Sequence, residues 1–307
     1  MSDTPSTAEI TQGQNNAVVM RQLVKYLESE KEKGRSHVLL DADARQVLRH
    51  LANRPSAKQL DNSTAPIATP APSIKKIMIV PNMADTIDLP GLDPISPSLP
   101  KTEQLAQLEQ QLRGWLTGNF PQALRQTLVF SSGSSDGRVM LIGEAPGHEE
   151  EKALRPFEGP AGKKLDKILE AMGLNRDEVY VTNLVKFRPA TPRQTTNNRK
   201  PTPAEVAAFM PVIREEIRIV QPQCIVALGA TPLEALLQTD STVSTMRGSW
   251  HAFDGIPLRV TYHPSYLLQS GESPAVKRMI WEDMLAVMEK LGMEISSKQR
   301  GYFLPNS

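Results

Sequence analysis

Three separated stretches of the 307-residue chain carry side chains able to do chemistry. The first runs from Val139-Met140-Leu141-Ile142 into Gly143-Glu144-Ala145-Pro146-Gly147, through the acids Glu149, Glu150 and Glu151, to Pro156-Phe157-Glu158-Gly159. An apolar run that stops in a Gly/Pro turn, followed by carboxylates, one aromatic ring and a new helix, has the layout of a ligand site at the carboxyl end of a parallel strand. The second is Asn183, whose amide offers both a donor and an acceptor, followed by Lys186, Arg188, Arg193, Arg199 and Lys200. Between Val179 and Ala204 there are five basic residues and no acidic one, a run suited to a phosphate backbone. The third is His263-Pro264-Ser265-Tyr266-Leu267-Leu268, built around a side chain whose charge state is set by its surroundings. Each stretch alone has a structural reading, as a turn, a cap, a core ring or a solvated loop. Their coincidence at one sheet edge favours a site.

The elements that must position them alternate regularly. Leu105, Leu108, Leu112 and Leu116 predict a helix from Thr102, followed by a short strand at Thr127–Phe130. Val139–Ile142 reads as a buried strand, Ala161–Met172 as a helix closed by Gly173, and Val179–Asn183 as a second strand. Thr202-Pro203-Ala204-Glu205 forms a capping box with proline at the first helical position, so a long helix should run to about Val220. Strands at Cys224–Leu228 and Leu258–Tyr262 and a helix from Ala275 to about Leu291 follow. This order predicts a three-layer α/β/α domain around a central four-stranded, mostly parallel sheet with ligands at the strand carboxyl ends.

A hydrophobic content of 39% and this length suit one core of roughly 150 to 200 residues plus an accessory region. Residues 1–54 hold two short amphipathic helical patterns, one from Ala17 and one after Asp41. Residues 55–100 are rich in Pro, Ser, Ala and Thr and read as a flexible linker, interrupted by the apolar Ile77-Met78-Ile79-Val80. Residues 101–307 are the expected catalytic domain. A net charge of +1 means that nucleic-acid binding must come from local placement of cations. The single cysteine, Cys224, excludes an intramolecular disulfide and any cysteine-only metal or iron–sulphur site. The polar start, Met1–Asn16, and the lack of any apolar run near the roughly 18 residues that span a bilayer lead to an expectation of a cytoplasmic protein with no membrane contact.

Together, Gly143-Glu144-Ala145-Pro146-Gly147 with its trailing acids and Pro156-Phe157, Thr182-Asn183-Leu184-Val185-Lys186-Phe187-Arg188-Pro189, Ala227-Leu228-Gly229, Arg247-Gly248 and His263-Pro264-Ser265-Tyr266-Leu267-Leu268 resemble the uracil-DNA glycosylase superfamily. The pattern is most similar to family four, the iron–sulphur-containing type, and spans about Thr127 to Leu291. The resemblance implies hydrolysis of the N-glycosidic bond of uracil in DNA, leaving an abasic site for base excision repair near the bacterial nucleoid. Enzymes that act on a base must extrude it, stack on it and read its edge. By resemblance, Gly143, Ala145, Phe157 and Asn183 line the uracil pocket, and Phe157 stacks on the base. Asn183 reads the uracil edge, a pattern that cytosine reverses. His263 donates to the developing charge on O2, and Glu150 and Glu144 serve the sugar cation and the water, with Glu150 ranked first. Lys186, Arg188, Asn198, Arg199, Ser265, Leu267 and Leu268 are expected at the DNA, the two leucines in a loop that wedges the duplex.

The sequence departs from the family at the cluster. Phe187 and Phe209 stand at two cysteine positions, and Leu116 and Asn119 lie near the other two, so no metal or cofactor is expected and aromatic packing should replace the cluster. Gln269 replaces a more usual arginine, and Glu151 stands where an aspartate is usual. Two alternatives stay open: a weakly active DNA-binding or recruiting protein on the same fold, suggested by the lost cysteines and the extension, and a glycosylase for another deaminated base such as hypoxanthine. The amino-terminal extension is expected to recruit a protein partner.

Overall fold

Residues 87, 89–117 and 120–304 are described by the structure, a computed structural model. The helical patterns within 1–54 and the apolar Ile77–Val80 run lie outside them. In chain order the elements are α1 (Lys101–Gly114), β1 (Leu124–Leu128), β2 (Ser131–Gly133), β3 (Val139–Gly143), α2 (His148–Ala153), α3 (Pro160–Met172), β4 (Tyr180–Asn183) and β5 (Phe187–Pro189). They continue with α4 (Pro203–Val220), β6 (Cys224–Leu228), α5 (Ala230–Leu237), α6 (Val243–Met246), β7 (Trp250–Phe253), β8 (Ile256–Thr261), α7 (Pro264–Gln269), α8 (Pro274–Lys290) and α9 (Ser297–Arg300).

The main sheet has the order β2-β4-β3-β6-β8-β7. Its four inner strands are parallel to one another, and β2 and β7 close the edges antiparallel. The four strands expected from sequence are therefore these inner ones, and the sheet is wider by two. Every residue of β3 and β6 is buried, as strands covered by helices on both faces require. Side-chain alternation splits the interior in two. Met140, Ile142, Tyr180, Ile225 and Val260 face a core with α1, α4 and α5, while Val139, Leu141, Val181, Val226 and Leu228 face a core with α3 and α8. These are the two outer layers of the α/β/α sandwich.

Local signals act as expected at the helix ends. The Thr202 hydroxyl accepts from Glu205 N at 3.2 Å and Glu205 Oε2 accepts from Thr202 N at 2.7 Å, which starts α4. Gly173, at φ +79°, closes α3, a left-handed cap that glycine takes without a Cβ penalty.

Three expectations need correction. The strand placed at Thr127–Phe130 lies earlier, as β1, and pairs antiparallel with β5 in a separate two-stranded sheet. Edge strand β7, unread in the sequence, buries only Phe253 fully and so shows no alternation. It is joined to β8 through Asp254-Gly255, both at positive φ, the turn chemistry that suits a two-residue hairpin. Finally, the end of the stretch read as flexible linker is packed: Ile95 is buried, and Leu89 and Leu92 rest on the same core. Asp93 N donates to Gln111 Oε1 at 2.8 Å and Gln111 Nε2 returns a bond to Asp93 O at 3.1 Å. The apolar side chains at 89, 92 and 95 outweigh the proline-rich composition that suggested looseness. Among the described residues no helix is long and apolar enough to cross a membrane.

Candidate active site

The floor of the site is the paired end of β3 and β4, where Gly143 stands opposite Asn183. The pairing continues past the strands through Leu184 N to Gly143 O at 3.0 Å and Val185 N to Glu144 O at 3.1 Å. Asn183 is buried. A Cβ on Gly143 would lie 2.6 Å from Phe157 Cζ and would overlap Asn183 Oδ1, so only glycine leaves the ring and the amide room to converge. Ala145, the next small residue, is partly buried against the α4-side core.

Phe157 has a left-handed backbone at φ +58°, a conformation that costs a non-glycine residue about 1 kcal/mol or more. Arg176 holds it there by donating to Phe157 O at 2.8 Å and Pro156 O at 3.3 Å. The Phe157 ring stacks on His263, with centroids 5.6 Å apart and planes at 29°. His263 is the N-cap of α7: its Nδ1 accepts from Ser265 N at 3.2 Å and lies 2.8 Å from Ser265 Oγ. Burial pushes its pKa down to about 4, so the ring is neutral near pH 7. Because Nδ1 accepts from a backbone amide, the ring proton sits on Nε2. Gly229, at φ +99°, passes behind it, and a Cβ there would be 3.0 Å from His263 Cβ.

The acids divide their work. Both oxygens of Glu150 accept backbone amides, Gly147 N and Gly159 N, each at 3.0 Å, and this staples the two ends of the Gly147–Gly159 loop. Glu144 receives the Thr231 hydroxyl from α5 on one oxygen. Glu151 lies between Arg125 at 2.5 Å and Arg188 at 2.9 Å. Burial alone would raise its pKa, but the two guanidinium groups hold it below the usual carboxylate range.

The basic stretch is mostly turned inward, which corrects its reading as a DNA-facing run. Lys186 is fully buried against Glu216. Arg188, 1% exposed, directs its guanidinium at Asn198 Oδ1, His148 Nδ1, Glu151 Oε2, Thr195 O and Asn197 O, which uses all five of its N–H groups. Arg199 pairs with Glu205 at 2.5 Å and donates to the carbonyls of Ala190 and Ala123. Asn198, bound to Arg188 Nε at 2.9 Å, brings its Nδ2 to within 2.9 Å of where a Gly147 Cβ would stand. Arg193 and Lys200 remain exposed. Arg247-Gly248 is also an internal tie, held by buried Asp283 through Arg247 Nε at 3.0 Å and Gly248 N at 3.2 Å.

The expected wedge lies on helix α7 rather than in a loop, and its two leucines differ. Leu267 is buried in the α3/α8 core, whereas Leu268 is 40% exposed. Beside it Tyr266 is equally exposed and stacks on Tyr262 at 4.8 Å. The sequence assigns Tyr266 no role of its own within that stretch, because an aromatic in a short apolar run normally reads as core. At the family's cluster positions, Phe187 lies 4.7 Å from Phe120 and 5.9 Å from Phe209, which lies 6.0 Å from Trp115. This chain of four rings is within ordinary aromatic contact distance and offers no thiolate. Cys224 faces the opposite core, its thiol pushed up to about 11 by burial. These residues do not fit an iron–sulphur cluster.

A family model for the uracil DNA glycosylase superfamily matches residues 130–285. The chain belongs to this superfamily. It is 39% identical over 164 residues to the type-4 uracil-DNA glycosylase of Thermotoga maritima, covering 52% of this chain and 81% of that protein. The type-4 enzyme of Saccharolobus solfataricus is 34% identical over 176 residues, 54% of this chain and 77% of its own. A 138-residue stretch is 30% identical to the DNA polymerase of Bacillus phage SP01, but covers only 14% of that protein. The strand-end segments described above, from Gly143 to His263, fall inside the matched residues 130–285.

Proposed function

We propose that this protein is a monofunctional uracil-DNA glycosylase that hydrolyses the N-glycosidic bond of uracil in DNA and leaves an abasic site for base excision repair. One observation carries the reading: Phe157, Asn183 and a neutral His263 converge from three separate segments on the carboxyl edge of one parallel sheet. An extruded uracil stacks on the Phe157 ring. The Asn183 amide pairs its donor with uracil O4 and its acceptor with N3–H. Cytosine reverses that pattern and would leave buried polar groups unpaired.

Bond breaking puts negative charge on uracil O2 and positive charge on the sugar. His263 Nε2–H donates to O2, a preorganised contact of a kind worth about 3 to 4 kcal/mol in the transition state. The carboxylate of Glu144 is the better placed of the two acids to orient water and offset the sugar cation, because one of its oxygens is committed only to Thr231 while Glu150 binds backbone amides with both. Glu150 keeps the catalytic loop in shape. Exposed Leu268 and Tyr266 enter the duplex behind the departing base, and Ser265 orients His263 rather than gripping phosphate. Arg193 and Lys200 supply the cationic contacts left on the surface. The four-ring packing at Phe187 and Phe209 supports a cluster-free enzyme. The amino-terminal extension recruits a partner near the nucleoid.

Purified protein incubated with single- and double-stranded oligonucleotides bearing uracil or hypoxanthine tests this, beside Asn183→Ala and His263→Ala. Uracil release that both substitutions depress by about 100-fold or more is expected. No release above background, or release that neither substitution affects, refutes the assignment. Hypoxanthine release in place of uracil redirects it to another deaminated base, and stoichiometric iron in the preparation refutes the cluster-free form.

A further inference from the structure

The Lys186–Glu216 pair plays no part in the chemistry above, yet both side chains are 0% exposed. Glu216 lies on α4. Its Oε1 accepts from Tyr180 Oη at 2.8 Å and lies 3.0 Å from the Thr182 hydroxyl. Its Oε2 receives the Lys186 ammonium, which also donates to Thr182 Oγ1 and faces the Phe130 ring at 5.6 Å. Burying two charges costs several kcal/mol per ion, and apolar replacement of a whole buried pair is often neutral or stabilising. Stability alone therefore does not account for this network.

Its location does. Alternation along β4 sends Tyr180 toward α4 and Val181 toward the other face, where Phe157 also lies, and by the same alternation Thr182 takes the α4 face and Asn183 the Phe157 face. Glu216 thus holds side chains on both sides of Asn183, the Thr182 hydroxyl just before it and the Lys186 ammonium three residues after. Between these grips the chain is tied to β3 by Leu184 N and Val185 N. We propose that Glu216 and Lys186 form a buried clamp that fixes where β4 ends and hence where the Asn183 amide meets the base. Glu216 is then a positioning residue acting through Thr182 and Lys186. The inference rests on the assignment of Asn183 to the uracil edge.

The test uses full-length protein carrying Lys186→Met with Glu216→Leu, which removes both charges, and separately Thr182→Val, which removes one hydroxyl. Three quantities are read: the thermal midpoint, the single-turnover excision rate on a uracil oligonucleotide, and the Kd for an oligonucleotide with a tetrahydrofuran abasic analogue, which offers Asn183 no base. A 1 Å misplacement of a recognition group costs about 100-fold in rate. The double variant is expected to stay folded, to lose excision by about that factor, and to keep its abasic-site Kd within about twofold, with Thr182→Val losing about tenfold. A folded double variant with the wild-type excision rate overturns the clamp, as does parallel loss of excision and abasic-site binding. Should the double variant not fold, Thr182→Val decides by the same criteria. An inactive wild type would overturn the base-recognition reading and the clamp with it, whereas an active wild type beside an unaffected variant overturns the clamp alone.

Discussion

His263 gives a prediction whose size follows from its surroundings. Burial lowers its pKa from 6.5 to about 4, so the folded protein binds its proton less readily than the unfolded chain. Between these values the unfolded state holds more protons, and stability rises with pH across the window. The contribution is fully present above pH 6.5, is lost as pH falls toward 4, and changes no further below that. At 1.36 kcal/mol per pKa unit the whole effect is about 3 kcal/mol, and about 2 kcal/mol of it has gone by pH 4.5. His263→Gln keeps a polar side chain of similar reach but cannot titrate. Urea unfolding of both proteins at pH 7 and pH 4.5 should show the wild type losing about 2 kcal/mol more than the variant. The carboxylates titrate in both proteins and cancel in the difference. Equal losses, or an imidazole resonance of His263 that titrates near 6.5 in the folded protein, would refute the burial-lowered pKa of this ring.

The remaining predictions concern space and exposure. Gly143→Ala places a methyl against Phe157 and Asn183; excision should fall by at least about 100-fold, with a stability loss of about 1 to 3 kcal/mol by urea unfolding. Leu267→Ala should cost about 2 to 5 kcal/mol, because that side chain is buried. Leu268→Ala should change stability by no more than about 0.5 kcal/mol while slowing excision from duplex more than from single-stranded DNA, read as the ratio of the two rates. A chain of residues 87–307 should fold and excise uracil, whereas residues 101–307, which lack buried Ile95 and the Asp93–Gln111 bonds, should melt at a lower temperature by calorimetry.

Much of the scaffold was written locally. The capping box at Thr202, the left-handed Gly173 and the buried runs of β3 and β6 each depend on neighbours within a few residues, and the structure has them where the sequence puts them. The strand-end positions of Gly143, Asn183 and His263 were legible for the same reason: a strand's end fixes the edge on which its next residue stands, and the parallel order brings those edges together. Short-range patterns could not decide which way a polar side chain points. Lys186 and Arg188 read as cations for DNA because their counter-ions, Glu216 and Glu151, are 30 and 37 residues away in the chain and meet them only through packing. Nothing in the helix that carries Glu150 shows that the loop's two ends, Gly147 and Gly159, would both present amides to it. The sequence by itself determined which residue types gather at the sheet edge, since that follows from local periodicity. Only the tertiary structure decided which of them stay exposed there and which are buried in ion pairs and hydrogen bonds, because that depends on the packing and charge pairing of residues far apart in the chain.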